Sequence, residues 1–135
     1  VPPGGSWRDI PHTLLPAGMQ RARRSDHTRR YGRLDPNGIA STILTKCDPH
    51  WGTYFHPKQD RVISVREAAR LQSFPDRIRF HGPLVDQYKQ VGNAVPPLLA
   101  KTIGESIGQC LQQADDGTAT PRGKKVFQPE FLLKG

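Results

Sequence analysis

Between residues 64 and 97 the chain carries two devices that leave its backbone little freedom. The first is "SVREAARLQSFPD". Ser64 and Glu67 have the S-x-x-E spacing of a capping box, in which two unpaired amides at a helix start are satisfied reciprocally. Ser64 is therefore expected as N-cap and Val65 as the first helical residue. Val65, Ala68, Ala69 and Gln72 share one face of that helix, while Arg66 and Arg70 lie together on another. Pro75 is expected to stop it after about ten residues, because the residue before a proline avoids the helical region. The second device is "QVGNAVPP". Gly92 permits a backbone that other residues resist, Asn93 can cap a following helix, and Pro96 with Pro97 fixes that helix's first turn. An asparagine so placed can also hold a polar group of a ligand. The residues themselves leave both roles open.

The flanking patterns place these devices in an α+β chain. "GPLVDQYKQVG" suits a short helix with Pro83 in its first turn. A third helix is expected over about residues 96–113, where Val95, Leu99, Ile103, Ile107 and Cys110 or Leu111 step by roughly four, as a buried face should. Gly104 and Gly108 weaken it unless another backbone comes close. Upstream, "LDPNGIASTILTK" reads as a turn at Pro36, Asn37 and Gly38, followed by a strand over the β-branched run 39–45. "HWGTYFHPKQDRVI" reads as a second strand around 52–55, a turn at Pro57 and a short strand ending at Ile63. Residues 1–20, with Trp7, Ile10 and Leu14 as anchors, read as an ordered irregular loop. The expected organisation is an irregular β-rich segment 1–63, a helical segment 64–113 and a flexible tail 114–135, in which Phe127 or Phe131 could dock.

Charge narrows the partner. The 135 residues hold 20 Lys and Arg against 12 Asp and Glu, a net charge of +8, which points to a polyanion and most often to nucleic acid. "QRARRSDHTRRYGR" concentrates Arg21, Arg23, Arg24, Arg29, Arg30 and Arg33 around a single acid, Asp26. Arginine favours bidentate contacts to phosphates and guanine edges. With only 35% hydrophobic residues, some surface is expected to be covered by something else. Cys47 and Cys110 are too few for a disulfide framework and read as reduced thiols of an intracellular protein. No apolar run approaches a membrane span. Cys47, His50 and His56, even with His12 or His27 nearby, lack a fourth ligand at a zinc spacing, so no metal is expected. A chain opening on Val1, with Met19 as its one methionine, is expected to have been cut from a longer one or processed.

"HPKQDRVISVREAARLQSFPD", followed by "QYKQVGNAVPPLLAKTIG", resembles the C-terminal end of DNA (cytosine-5) methyltransferases, the first stretch their ninth conserved motif and the second their tenth. "GGSWRDIP", "RRYGRLDPNGIASTILT" and "GTYFHP" resemble the late part of the family's target-recognition region. The pieces stand in family order over about residues 4–112.

The resemblance implies a chemistry divided between two halves. In the family a cysteine attacks C6 of a cytosine flipped out of the duplex, and S-adenosylmethionine supplies the methyl group for C5. The residues that do this lie in an N-terminal half: an F-x-G-x-G loop, a Pro-Cys-Gln loop and a Glu-Asn-Val motif. None of the three is present here, and neither "TKCDP" nor "GQCLQ" resembles the nucleophile loop. No catalytic residue is therefore expected in this chain, and the chain alone is expected to be inactive.

What carries over is narrower. Asn93 matches the tenth-motif asparagine that reaches the amino-acid end of S-adenosylmethionine, with Ala94 and Val95 along the same edge. Thr42 matches a threonine that contacts the DNA backbone beside the flipped base, its bland alternative being an ordinary strand threonine. Arg30, Arg33, Lys46 and Arg61 are unranked candidates for DNA contact. Arg66 and Glu67 match the ninth motif's bracing pair, with Ser64 as their cap. The implied partners are double-stranded DNA and the N-terminal catalytic half, on whose core the stripe from Val95 to Ile107 would be buried. The expected setting is the cytoplasm of a bacterium, in a restriction–modification system. A split two-chain enzyme, a DNA-binding regulatory module and an inactive remnant are the rival readings.

Overall fold

The computed structural model describes residues 1–23, 25–26 and 29–115. They belong to two units, Val1–Leu99 and Ala100–Gly135. Of the flexible tail expected over residues 114–135, residues 114 and 115 are helical, and 116–135, with Phe127 and Phe131, lie outside the described residues, as do Arg24 and His27.

The first unit combines a minimal sheet with short helices, an α+β arrangement. Strands β1 (Gly32–Arg33) and β2 (Thr53–Phe55) pair in parallel, with a register irregularity inside β1. Phe55 also bridges antiparallel to Val62, so the chain doubles back through the turn at Pro57 as its sequence suggests. The strand expected over 39–45 does not form. That segment lacks a ladder, and the Tyr54 hydroxyl takes its polar groups instead, donating to the Thr42 carbonyl and accepting from Leu44 N, both at 3.2 Å. A buried side chain thus does for this backbone what a neighbouring strand would have done.

Among the described residues the α-helices are α1 (Ala17–Gln20), α2 (Val65–Leu71), α3 (Leu84–Asn93) and α4 (Pro97–Asp115). Helix α2 starts as its capping box dictates. Ser64 Oγ accepts from Glu67 N at 3.2 Å, and the Glu67 carboxylate accepts from Ser64 N at 2.7 Å. It ends earlier than expected, four residues short of Pro75. Ser73 turns left-handed (φ +61°), Phe74 N donates to the Ala69 carbonyl and Ser73 N to the Arg70 carbonyl, both at 2.9 Å. This pair of reversed bonds is a Schellman termination, usually built on glycine. Ser73 adds what glycine could not: its Oγ accepts from Leu98 N at 3.2 Å, satisfying an amide in the first turn of α4.

The main core draws on both sides of Ser64. Leu34, Ile43, Cys47, Tyr54 and Ile63 pack with Val65, Ala68 and Ala69 of α2 and Val91 of α3. A second cluster of Trp7, Leu15 and Met19 ties down the N-terminal turns. The anchor here is Leu15, while the expected Leu14 is 73% exposed. In a turn-rich segment without a period, spacing does not tell which neighbour faces inward.

The second unit is described through residue 115, as the continuation of α4. The apolar stripe expected as a buried face is open in this chain. Val95 and Leu99 are 59% and 46% exposed in the first unit, and Ile103, Ile107 and Leu111 are 48%, 55% and 62% exposed in the second. Among the described residues no helix is long and apolar enough to cross a membrane.

Candidate functional site

The Thr42 loop and the Asn93 turn meet through the backbone. Tyr54 is 1% exposed, and burial pushes its hydroxyl above the usual phenol range, so it stays protonated and can donate to Thr42 while accepting from Leu44. The last turn of α3 packs on the same stretch. A Cβ built at Gly92 would fall 2.6 Å from Thr45 N and 2.5 Å from the Leu44 carbonyl carbon. Gly92 is thus required by close approach, where a backbone that other residues resist was expected; it lies inside α3. Gln72 Nε2 donates to the Val91 carbonyl at 2.9 Å and fastens the end of α3 to α2.

Asn93 is the last residue of α3, and extended Ala94 (φ −78°, ψ 146°) follows as C-cap. The Asn93 side chain is exposed and caps nothing; among the described residues it makes no hydrogen bond. Ser73 does the capping at α4 instead. That leaves the Asn93 amide free at a rigidly placed corner, beside half-buried Ala94 and exposed Val95.

The charged residues separate into two kinds. Arg33 is turned inward: its guanidinium donates to the carbonyls of Val1, His56 and Gln59 at 2.7–2.8 Å and pairs with Asp60 at 2.6 Å. Its side chain is only 11% exposed. Arg61 grips both Glu67 oxygens, at 2.7 and 2.8 Å. That guanidinium, with the Ser64 bonds, holds the Glu67 carboxyl far below the usual carboxylate range. Arg66 donates to the Ile78 carbonyl at 2.6 Å and lies over Phe80. Arg61, Glu67 and Ser64 thus tie the turn after β2 to the start of α2, Arg33 ties that turn to β1, and Arg66 ties α2 to the stretch at Ile78 and Phe80.

Thr42 and Lys46 are exposed, and Arg30 is half-buried with its guanidinium 4.8 Å above the indole of Trp51. Thr42 and Lys46 present polar groups to solvent, whereas Arg30 Nη1 is turned towards Met19 Sδ and His50 Nε2, both at 3.5 Å. Tyr54 and Ser73 hold the site together although nothing in the sequence marks them for it. Tyr54 shows only the alternation of "TYF", which places it opposite Thr53 and Phe55.

Cys47 is buried in the main core, and burial pushes its thiol up to about 11, the reverse of what a nucleophile needs. Among the described residues no three His, Cys, Asp or Glu side chains form a metal cluster.

The family model for C-5 cytosine-specific DNA methylase matches residues 8–109. The chain is 54% identical over 103 residues to DNA (cytosine-5)-methyltransferase 1 of Mus musculus, covering 73% of this chain and 6% of that protein. It is 52% identical over 124 residues to DNA (cytosine-5)-methyltransferase 1 of Gallus gallus, covering 85% and 8%. With DNA (cytosine-5)-methyltransferase 3 of Arabidopsis thaliana it shares 43% over 123 residues, covering 81% and 9%. The chain therefore spans less than a tenth of the length of these relatives. All three are animal or plant proteins, which overturns the expected bacterial cytoplasmic setting and removes the ground for a restriction–modification role. The motifs carry no mark of the cell they work in, so the residues alone could not separate the two. The match takes in the capped helix, the Thr42 loop and the Gly92 turn, and the chain belongs to the C-5 cytosine-specific DNA methylase family.

Proposed function

We propose that this chain is the late target-recognition and C-terminal helical part of an enzyme that moves a methyl group from S-adenosylmethionine to C5 of cytosine in double-stranded DNA. One observation carries this: the Gly92 contact with Leu44 and Thr45 joins an outward amide, Asn93, to an outward threonine, Thr42, on one rigid scaffold. Such a joint suits a piece that must present one edge to a cofactor and another to DNA.

The residues present fit S-adenosylmethionine as an edge and not as an enclosing pocket. The Asn93 amide, with no partner among the described residues, suits the amino-acid end, and Ala94 with Val95 offers apolar surface beside it. When bound, that cofactor supplies the methyl group. The chain's own part is to hold Asn93 against it and to hold Thr42 and Lys46 against DNA phosphates or bases, with Arg30 committed to Met19, His50 and Trp51. The nucleophilic cysteine and most of the cofactor pocket belong to the N-terminal half, in the same polypeptide or as a separate subunit. The exposed stripe of Val95, Leu99, Ile103 and Ile107 is suited to rest on that half. Arg33 and Arg61 serve this function indirectly, as braces.

The test is cofactor affinity in the complete enzyme. Asn93→Ala should raise the Kd for S-adenosylmethionine about tenfold, the loss of one hydrogen bond to a charged group, and leave DNA affinity in place. Unchanged cofactor affinity would remove Asn93 from the site. DNA binding by the chain should weaken steeply as salt rises, since cationic contacts to phosphates release counterions. A flat salt dependence would count against DNA as partner.

A further inference from the structure

The two tryptophans of the chain have opposite surroundings. Trp7 is 4% exposed in the second core cluster, whereas Trp51 is 57% exposed and belongs to neither cluster. Yet Trp51 is firmly held. The Arg30 guanidinium lies 4.8 Å above its ring, and the His50 ring meets it edge-on at 4.8 Å. Arg30 Nη1 and His50 Nε2 are 3.5 Å apart, so the two supports stand together, while Trp51 itself remains 57% exposed.

The support behind this pair is rigid. Tyr31 Oη lies 2.8 Å from His50 Nδ1, and Tyr31 N donates to the Pro49 carbonyl at 2.6 Å. Tyr31 is itself left-handed (φ +50°), a conformation costly for a bulky aromatic and maintained only where surroundings enforce it. Asp48 completes the turn: its Oδ1 accepts from His50 N at 2.9 Å and its carbonyl from Trp51 N at 3.0 Å. Burial does not explain this outlay of order, since the indole remains open.

A flat π surface backed by a cation, on a chain of net charge +8, is suited to the face of a nucleobase whose phosphates meet nearby positive charge. Base faces inside a duplex are covered by their neighbours, so the occupant must be a base without its stack. We propose that Trp51, backed by Arg30 and His50, is a stacking platform for an unpaired nucleobase of the DNA. This rests on DNA being the partner and adds the group that one residue takes.

Tryptophan emission of the full chain, read as the difference between wild type and Trp51→Phe, isolates Trp51 from buried Trp7. Three duplexes of one sequence serve as probes: one with a single unpaired cytosine, one with an abasic residue at that place, one fully paired. The unpaired-base duplex should quench the Trp51 signal and the other two should not. Trp51→Ala should bind the unpaired-base duplex about tenfold more weakly, and Trp51→Phe should retain most of the affinity; unchanged Trp7 emission verifies that the variants are folded. Equal quenching by the abasic or paired duplex, or none by a duplex that binds, overturns the platform alone. Failure of every duplex to bind the wild type overturns DNA as partner as well, and the platform with it.

Discussion

Helix α2 and the turn that follows α3 look alike as strings of residues. Each places a small polar residue beside a helix end and a proline a few positions on. Their stabilisation is different in kind. At α2 the Ser64 and Glu67 bonds, the left-handed Ser73 and the reversed bonds from Ser73 and Phe74 all lie within eleven residues of chain. At the turn, Asn93 caps nothing, and Gly92 is needed because the Leu44 backbone, far away in sequence, presses against it. The first device is local and would survive transplantation. The second has meaning only where the Thr42 loop is in place.

That contrast can be broken most directly at Gly92. In Gly92→Ala the added methyl meets peptide atoms that cannot rotate aside, so the chain should lose about 3 kcal/mol, the upper range for overpacking. Thermal unfolding of the full chain checks it, and a loss below about 0.5 kcal/mol would mean that α3 and the Leu44 backbone are not in contact. A smaller loss, about 1 kcal/mol, is expected for Ser64→Ala, with Ser64→Asp largely restoring stability because it caps in the same way. If Asp fails to rescue, the hydroxyl has a role beyond the cap.

The smallest effect should come from acid. Arg61 and Ser64 hold the folded Glu67 carboxyl below its ordinary range, so the unfolded chain binds that proton more readily. The stabilisation is therefore complete above about pH 4.3, the ordinary glutamate value, and declines as pH falls below it. Arg61→Gln should flatten stability against pH in that interval. An unchanged slope would show that the Arg61 pair, 41% exposed on the arginine side, is screened into insignificance.

Several misreadings share one physical origin. Residues 39–45 have the β-branched content of a strand, but a strand needs a neighbour, and here the Tyr54 hydroxyl took the backbone bonds first. Arg33 sits in the most basic stretch of the chain and looked available to DNA, yet its donors are turned onto carbonyls more than twenty residues away. Leu15 displaced Leu14 because a chain of single turns has no repeat from which to infer the inward side. Asn93 shows the limit from the other direction. Its residues alone allowed either a cap or a ligand contact, family resemblance favoured the second, and the fold leaves its amide without a capping bond.

Where a bond is closed by residues three or four apart, as at Ser64, Glu67 and the start of α2, the order of amino acids was enough. The two motif-bearing stretches likewise sufficed to point to the cytosine-5 DNA methylase family. Contacts across long separations were a different matter: which arginines stay free, why position 92 tolerates no side chain, and which tryptophan remains open depended on what folding brought alongside. The reason is steric and electrostatic, since a side chain's role is set by the atoms within a few ångströms, and for these residues such atoms come from distant parts of the chain.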